Sequence, residues 1–140
     1  MTGMVTDVFA DSAFWIALVV KQDEHHERAQ KWATHIHGSI TTTEPVILET
    51  ANALARPNWR PNTIRLIDHL YQRSDVDVVR MDDSLWQAAW DLYCERLDKG
   101  WSLTDCVSFV VMQERGLVDA LTTDLHFQQA GFRALLLQDP

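Results

Sequence analysis

Apolar and polar positions along the chain fall into short blocks whose period switches between two values. "MVTDVFA" (residues 4–10) alternates loosely, as a half-buried strand does, and stops at Asp11-Ser12, after which "AFWIALVV" continues as an apolar helix. From Asp23, "DEHHERAQKWATHI" sets His25, Ala29, Trp32 and Ile36 on one helical stripe. "SITT" (39–42) is β-prone, and "TEPVILETANALAR" reads as a helix with Pro45 in its first turn that stops before Pro57. A further helix is predicted from Asn62 to Arg73, a strand at "VDVVRM" (76–81), and a helix at 83–97 in which Ser84 and Gln87 can form a capping box. "SLTDCVSFVVMQERG" (102–116) is apolar on almost every side and ends in a cation and a glycine suited to a left-handed cap. "VDALTT" (118–123) and "FRALLL" (132–137) are the last predicted strands.

Five short strands alternating with helices call for a parallel sheet covered on both faces, because parallel neighbours need crossover helices. The 140 residues fit one α/β domain, 1–140, with no linker or low-complexity stretch. The longest apolar run, Ala13 to Val20, is too short to cross a bilayer, so no membrane role is expected. Two cysteines, Cys94 and Cys106, fall in predicted helices and read as thiols of a reducing cytoplasm. A net charge of -8, with three lysines and nine arginines against twenty acids, argues against non-specific adhesion to nucleic acid. It leaves room for an enzyme that gathers negative charge in one pocket and screens it with a metal ion.

Four acids occupy positions where such a pocket forms. Functional residues of parallel sheets collect at the carboxyl ends of strands, near the point where strand order reverses. Asp11 ends the first strand and Asp124 the fourth, Asp105 opens the helix leading into the fourth, and Glu49 lies on the helix after the second. Each has a bland reading: Asp105 as capping-box partner of Ser102, Asp11 and Asp124 as turn or N-cap residues, Glu49 as a solvated surface charge. Convergence would change the balance. Two like charges ~4 Å apart repel by about 4 kcal/mol at an effective dielectric of ~20, a large fraction of a stability of ~5–15 kcal/mol. Arg115, the cation of the Asp105 helix, sits about 15 Å along it. A carboxylate set with no paired Cys or His spacing suits Mg²⁺ or Mn²⁺. His25, His26, His35 and His37 lack zinc-site spacing and read as surface or capping residues, while His126 is open between substrate contact and packing beside Phe127. Tryptophans on helical stripes read as core or dimer surface; Trp59 and Trp101, in turns, stay open.

The segments "FADSAFWIAL" around Asp11, "PVILETANAL" around Glu49, "WSLTDCVSFVVMQERG" around Asp105 and "DALTTDLHFQQAGF" around Asp124 carry a resemblance to the PIN-domain family, within it to the VapC-type toxin nucleases. It covers nearly the whole chain. The resemblance implies a three-layer fold with a five-stranded parallel sheet in the order 3-2-1-4-5 and a metal-dependent endoribonuclease activity. It implies that Asp11, Glu49, Asp105 and Asp124 are the catalytic, metal-binding set, with Ser12 or Thr123 supporting them by hydrogen bonds. Cleavage by a metal-activated water would leave a 5′-phosphate and a 3′-hydroxyl. A homodimer and a small antitoxin covering the acidic pocket, as in VapBC-type pairs, are further implications. Cations near the motifs are few: Arg56, Arg60 and Lys99 are open between RNA contact and surface solubility. Two rival functions are a PIN-like scaffold that binds RNA or protein without cutting it, and a phospho-acceptor signalling module. The second requires a lysine near the last strands, and none follows Lys99.

Overall fold

The computed structural model of the protein describes residues 5–140; Met4, the start of the expected first strand, lies outside the described residues. Five strands, β1 (Val8–Ala10), β2 (Ile40–Thr43), β3 (Val76–Val79), β4 (Asp119–Leu121) and β5 (Arg133–Ala134), form one sheet in the order β3-β2-β1-β4-β5. Every pairing is parallel, with Phe9 of β1 facing Thr41 of β2 on one side and Ala120 of β4 on the other. Helices supply the crossovers: α1 (Ser12–Val19), α2 (His26–His35), α3 (Glu44–Ala53), α4 (Arg60–Gln72), α5 (Asp83–Glu95), α6 (Leu103–Arg115) and α7 (Leu125–Gln129). Among the described residues no helix is long and apolar enough to cross a membrane.

Val8, Phe9 and Ala10 are consecutive and wholly buried, the mark of a central strand covered on both faces. Strand order reverses at β1, which has β2 on one side and β4 on the other, so a crevice opens at the carboxyl ends of β1 and β4. Phe109 of α6 packs edge-on against Phe127 of α7 at 4.9 Å and against Trp101 at 5.0 Å. This aromatic contact fixes the short α7 to the start of the long α6; truncating the fully buried Phe127 to alanine would cost about 3–5 kcal/mol.

Several boundaries move from their expected places. The first strand is shorter, and Val5 contributes only an isolated bridge to Ile36. The last predicted strand contracts to Arg133–Ala134 and gives way to a 3₁₀ turn at Leu135–Leu137, which buries Leu135 and Leu136 in succession as an alternating edge strand cannot. Helix α5 is capped by Asp82, which accepts from Leu85 N at 2.7 Å, so the Ser84–Gln87 box does not form; Gln87 bonds Asp91 instead. The expected cap of α6 is present, with Gly116 at φ 68° in the left-handed region that glycine adopts without strain.

Candidate functional site

Asp11 is the first residue past β1, and its N–H bonds Leu121 O on the adjacent β4 at 3.2 Å, which ties it to the turn at 122–124. It stands at the N-cap of α1 yet makes no side-chain cap bond, so its carboxylate is left to face the crevice. There Oδ2 accepts from Thr122 Oγ1 at 2.8 Å, and the same hydroxyl oxygen accepts from Asp124 N at 3.0 Å. One buried hydroxyl therefore couples two of the acids.

Asp124 caps α7, its Oδ1 accepting from His126 N at 2.8 Å. One turn of helix brings the His126 ring back over the crevice, with Nδ1 3.0 Å from Asp105 Oδ2 and 3.4 Å from Asp124 Oδ1. Ionised carboxylates only accept, so this nitrogen carries a proton when it bonds them. Asp105 and Ser102 form the capping box: Asp105 N donates to Ser102 Oγ at 3.0 Å and Ser102 N donates to Asp105 Oδ2 at 3.1 Å. The structural and site roles of Asp105 thus coexist, because the box locks the rotamer that aims a buried carboxylate at the crevice. Glu49, on α3, is more open to water and accepts a hydrogen bond from Ser12 Oγ.

Burial sets the electrostatics. Asp11 is only 6% exposed. Desolvation pushes its carboxyl up to about 6 from the ordinary 3.8; the Thr122 and Ser12 hydrogen bonds oppose this, and the charges of Glu49 and Asp105 add to it. Among the described residues no lysine or arginine forms an ion pair with any of the four acids; His126 is the sole cationic candidate. The Cys106 thiol beside Asp105 is driven up to about 11, by burial first and the Asp105 charge second, so it stays a packed, unreactive thiol.

Of the residues expected at the site, Asp11 feels the charges of Glu49 and Asp105, Ser12 bonds Glu49, and Asp124 lies with Asp105 around His126. The expected support by Thr123 shifts by one residue. β4 ends at Leu121, Thr122 N turns back to Ala120 O, and this tight turn directs Thr122 rather than Thr123 to Asp11. His126 was legible as a histidine two residues past Asp124, but only the helical turn shows that it spans two carboxylates. Arg56 and Arg60 are exposed beyond the C-terminus of α3, Arg60 donating to Ala55 O, and Lys99 lies 3.8 Å from Asp98; none of the three bonds the acids. Trp101 is buried and donates to Gln129, whereas Trp59 lines a surface cavity.

The donor set fits a hard divalent cation. Ligand atoms of Asp105, Asp124 and His126 all lie within 4.8 Å of one another, and the partly desolvated Asp11 carboxylate repelled by its neighbours is what a missing positive charge would relieve. Carboxylate oxygens suit Mg²⁺ or Mn²⁺, and one imidazole is compatible with the latter.

Comparison with known proteins agrees with this geometry. The PIN domain family matches residues 8–133, a range that holds all four acids. The 23S rRNA-specific endonuclease VapC20 of Mycobacterium tuberculosis, from two strains, is 28% identical over 126 residues, covering 89% of this chain and 95% of the relative. The crystal structure of Mycobacterium tuberculosis VapC20, a Sarcin-Ricin loop cleaving toxin, superposes with a TM-score of 0.83 at 26% identity, covering 90% of this chain and 96% of that one. On this match the chain belongs to the PIN-domain family, and the relatives it resembles there are VapC-type toxins.

Proposed function

We propose that the protein is a Mg²⁺- or Mn²⁺-dependent endoribonuclease and the toxin of a VapBC-type pair, with Asp11, Glu49, Asp105 and Asp124 as its metal-holding acids. The observation that carries this reading is the convergence of four carboxylates from four separate segments with no lysine or arginine, among the described residues, paired with them. When bound, the ion supplies an acidified water and offsets charge on the phosphoryl oxygens. The chain's own residues hold and aim the acids: Thr122 orients Asp11, Ser102 and His126 fix Asp105, and Ser12 restrains Glu49. Attack by water with departure of the 3′-oxygen breaks one P–O bond, forms another, and leaves a 5′-phosphate and a 3′-hydroxyl. Because the relatives act on 23S rRNA, a structured rRNA loop is the first substrate to try.

The test is a panel of RNAs, ribosomal loops among them, incubated with Mn²⁺ or with EDTA, followed by end-group analysis. Cleavage only with the metal, yielding 5′-phosphates, is expected. A 2′,3′-cyclic phosphate, or cutting in EDTA, would refute the metal mechanism. RNA bound but uncut under every metal would favour the scaffold reading.

Two partners belong to this reading. A homodimer is supported by α5, where Trp86, Trp90 and Tyr93 are 42–49% exposed and stack at 6.1 and 5.6 Å, an aromatic stripe that a second copy could cover. Sedimentation of Trp90→Glu as a monomer and of the parent protein as a dimer is the expected outcome. An antitoxin that sets an arginine among the acids would supply the charge they lack. A cytoplasmic location is supported by the free thiols Cys94 and Cys106 and by an RNA target.

A further inference from the structure

The chain holds twelve lysines and arginines, and among the described residues six of them are ion-paired: Arg28, Arg73, Arg96, Lys99, Arg115 and Arg133. Two of the remaining six, Lys21 and Arg65, line one cavity where the end of α1 meets α4, while Arg56 lies in the segment that leads into α4 and Arg60 opens that helix. Charge is segregated there in the sequence itself. Residues 50–67 contain Arg56, Arg60 and Arg65 and no acid, and residues 12–22 contain Lys21 and no acid, in a chain of net charge -8. Two adjoining cavities of about 540 and 500 Å³ lie on this surface and share Val19, Lys21 and Asn62; Asn58 and Trp59 line the first, Arg65 and His69 the second.

We infer that this surface binds the unpaired RNA strand that leads into the acid crevice. The inference rests on the nuclease reading above and names where that substrate is held. The acids cannot grip a polyanion by themselves, so cations must act at a distance from the scissile bond. Helix α1 connects the two regions: its N-terminus carries Asp11 and Ser12, and Lys21 follows its C-terminus about 12 Å along the axis. Helix α3 runs alongside, carrying Glu49 and leading to Arg56. Lysine and arginine without an acid partner neutralise phosphates, Trp59 offers a stacking face, and Asn58, with the Asn62 amide that Arg65 holds, faces the edges of splayed bases. An acidic peptide would use the cations and leave the tryptophan and the amides without a role.

The test is fluorescence anisotropy of a labelled single-stranded RNA in EDTA, which blocks cutting, across a salt series. For Lys21→Gln/Arg65→Gln we expect affinity about tenfold lower near 0.15 M salt and a log–log salt slope shallower by about 1.4, the loss of two phosphate contacts. Lys21→Arg/Arg65→Lys should restore both, and Lys31→Gln, on α2 outside this surface, should change neither. Unchanged affinity and slope in the double variant, or no RNA binding by the parent protein, overturns the inference. So does tighter binding of a polyglutamate peptide that the same double variant loses, which would make an acidic protein segment the occupant. RNA bound through these residues but left uncut under every metal would sink the nuclease reading alone, whereas metal-dependent cutting with an unaffected double variant would sink this inference alone.

Discussion

Asp7 and Asp11 flank the same three-residue strand, and their environments push them in opposite directions. Asp7 Oδ1 accepts from Ser39 N at 2.9 Å and Ser39 Oγ at 3.0 Å, and those bonds hold its solvent-facing carboxyl below the ordinary range. Asp11 also accepts a hydroxyl bond at 2.8 Å, yet rises to about 6. Hydrogen bonding alone does not separate them. Water does, together with company: Asp7 keeps its hydration and is shifted by no neighbouring acid, while Asp11 is desolvated and feels Glu49 and Asp105. A carboxylate that serves the fold is satisfied by donors; one kept unsatisfied in a crevice is waiting for a cation.

Activity gives the sharpest way to break this contrast. Asp11→Asn and Asp105→Asn each remove a charged oxygen from the proposed metal site and should lower Mn²⁺-dependent RNA cleavage by more than about a hundredfold with an unchanged circular dichroism spectrum. Asp7→Asn should stay within about twofold of the parent rate. Equal losses in all three variants would mean that Asp11 has no role Asp7 lacks.

The alternation of strands and helices and the places of the four acids at element ends were readable from local grammar, such as strands that stop at an acid, Pro45 at a helix start and an apolar helix carrying one early carboxylate, whereas the strand order came from the resemblance to the PIN-domain family. What the sequence hid depends on single-residue geometry. Thr122 and Thr123 are adjacent and chemically identical, and only the residue at which β4 releases its ladder decides which one reaches Asp11. His126 needed one helical turn to bring its ring onto Asp105, twenty-one positions away. The cations show the same dependence on geometry: Lys99 is close in sequence to the Asp105 motif and lies against Asp98, whereas Lys21 and Arg65 are far apart in sequence and share one cavity wall.

Stability should respond to pH with opposite signs at the two aspartates. Asp11 binds its proton more tightly in the folded chain (about 6) than in the unfolded one (3.8), so its contribution to stability falls as pH rises from about 4 to 6 and the penalty is complete above that, on the order of 2–3 kcal/mol. Asp7 is lowered, so its contribution is present above the ordinary value and is lost as pH falls through the folded one. Metal-free Asp11→Asn should therefore melt several degrees above the parent protein at pH 7.5, with the gap closing toward pH 4, and Asp7→Asn should melt slightly lower at pH 7.5. Adding Mn²⁺ at about a hundred times its Kd should raise the parent protein by about 2.7 kcal/mol and leave Asp11→Asn almost unmoved. An Asp11→Asn melting curve below that of the parent at pH 7.5 would make Asp11 a structural cap.

The smallest expected effect isolates the hydroxyl that links two acids. Thr122 donates to Asp11 Oδ2 and accepts from Asp124 N, and it is wholly buried. Thr122→Val keeps the volume and removes both bonds, so the Asp124 amide loses its partner and the Asp11 carboxyl loses the largest interaction opposing its rise. Cleavage should fall about tenfold, stability by about 1 kcal/mol, and the acidic limb of the rate profile should move to higher pH, because a weaker acid needs a more alkaline medium to expose the ligand. Thr122→Ser should recover all three and Thr123→Val should alter none. A lower melting temperature with the limb in its original place would show that Thr122 props up the turn and leaves Asp11 untouched.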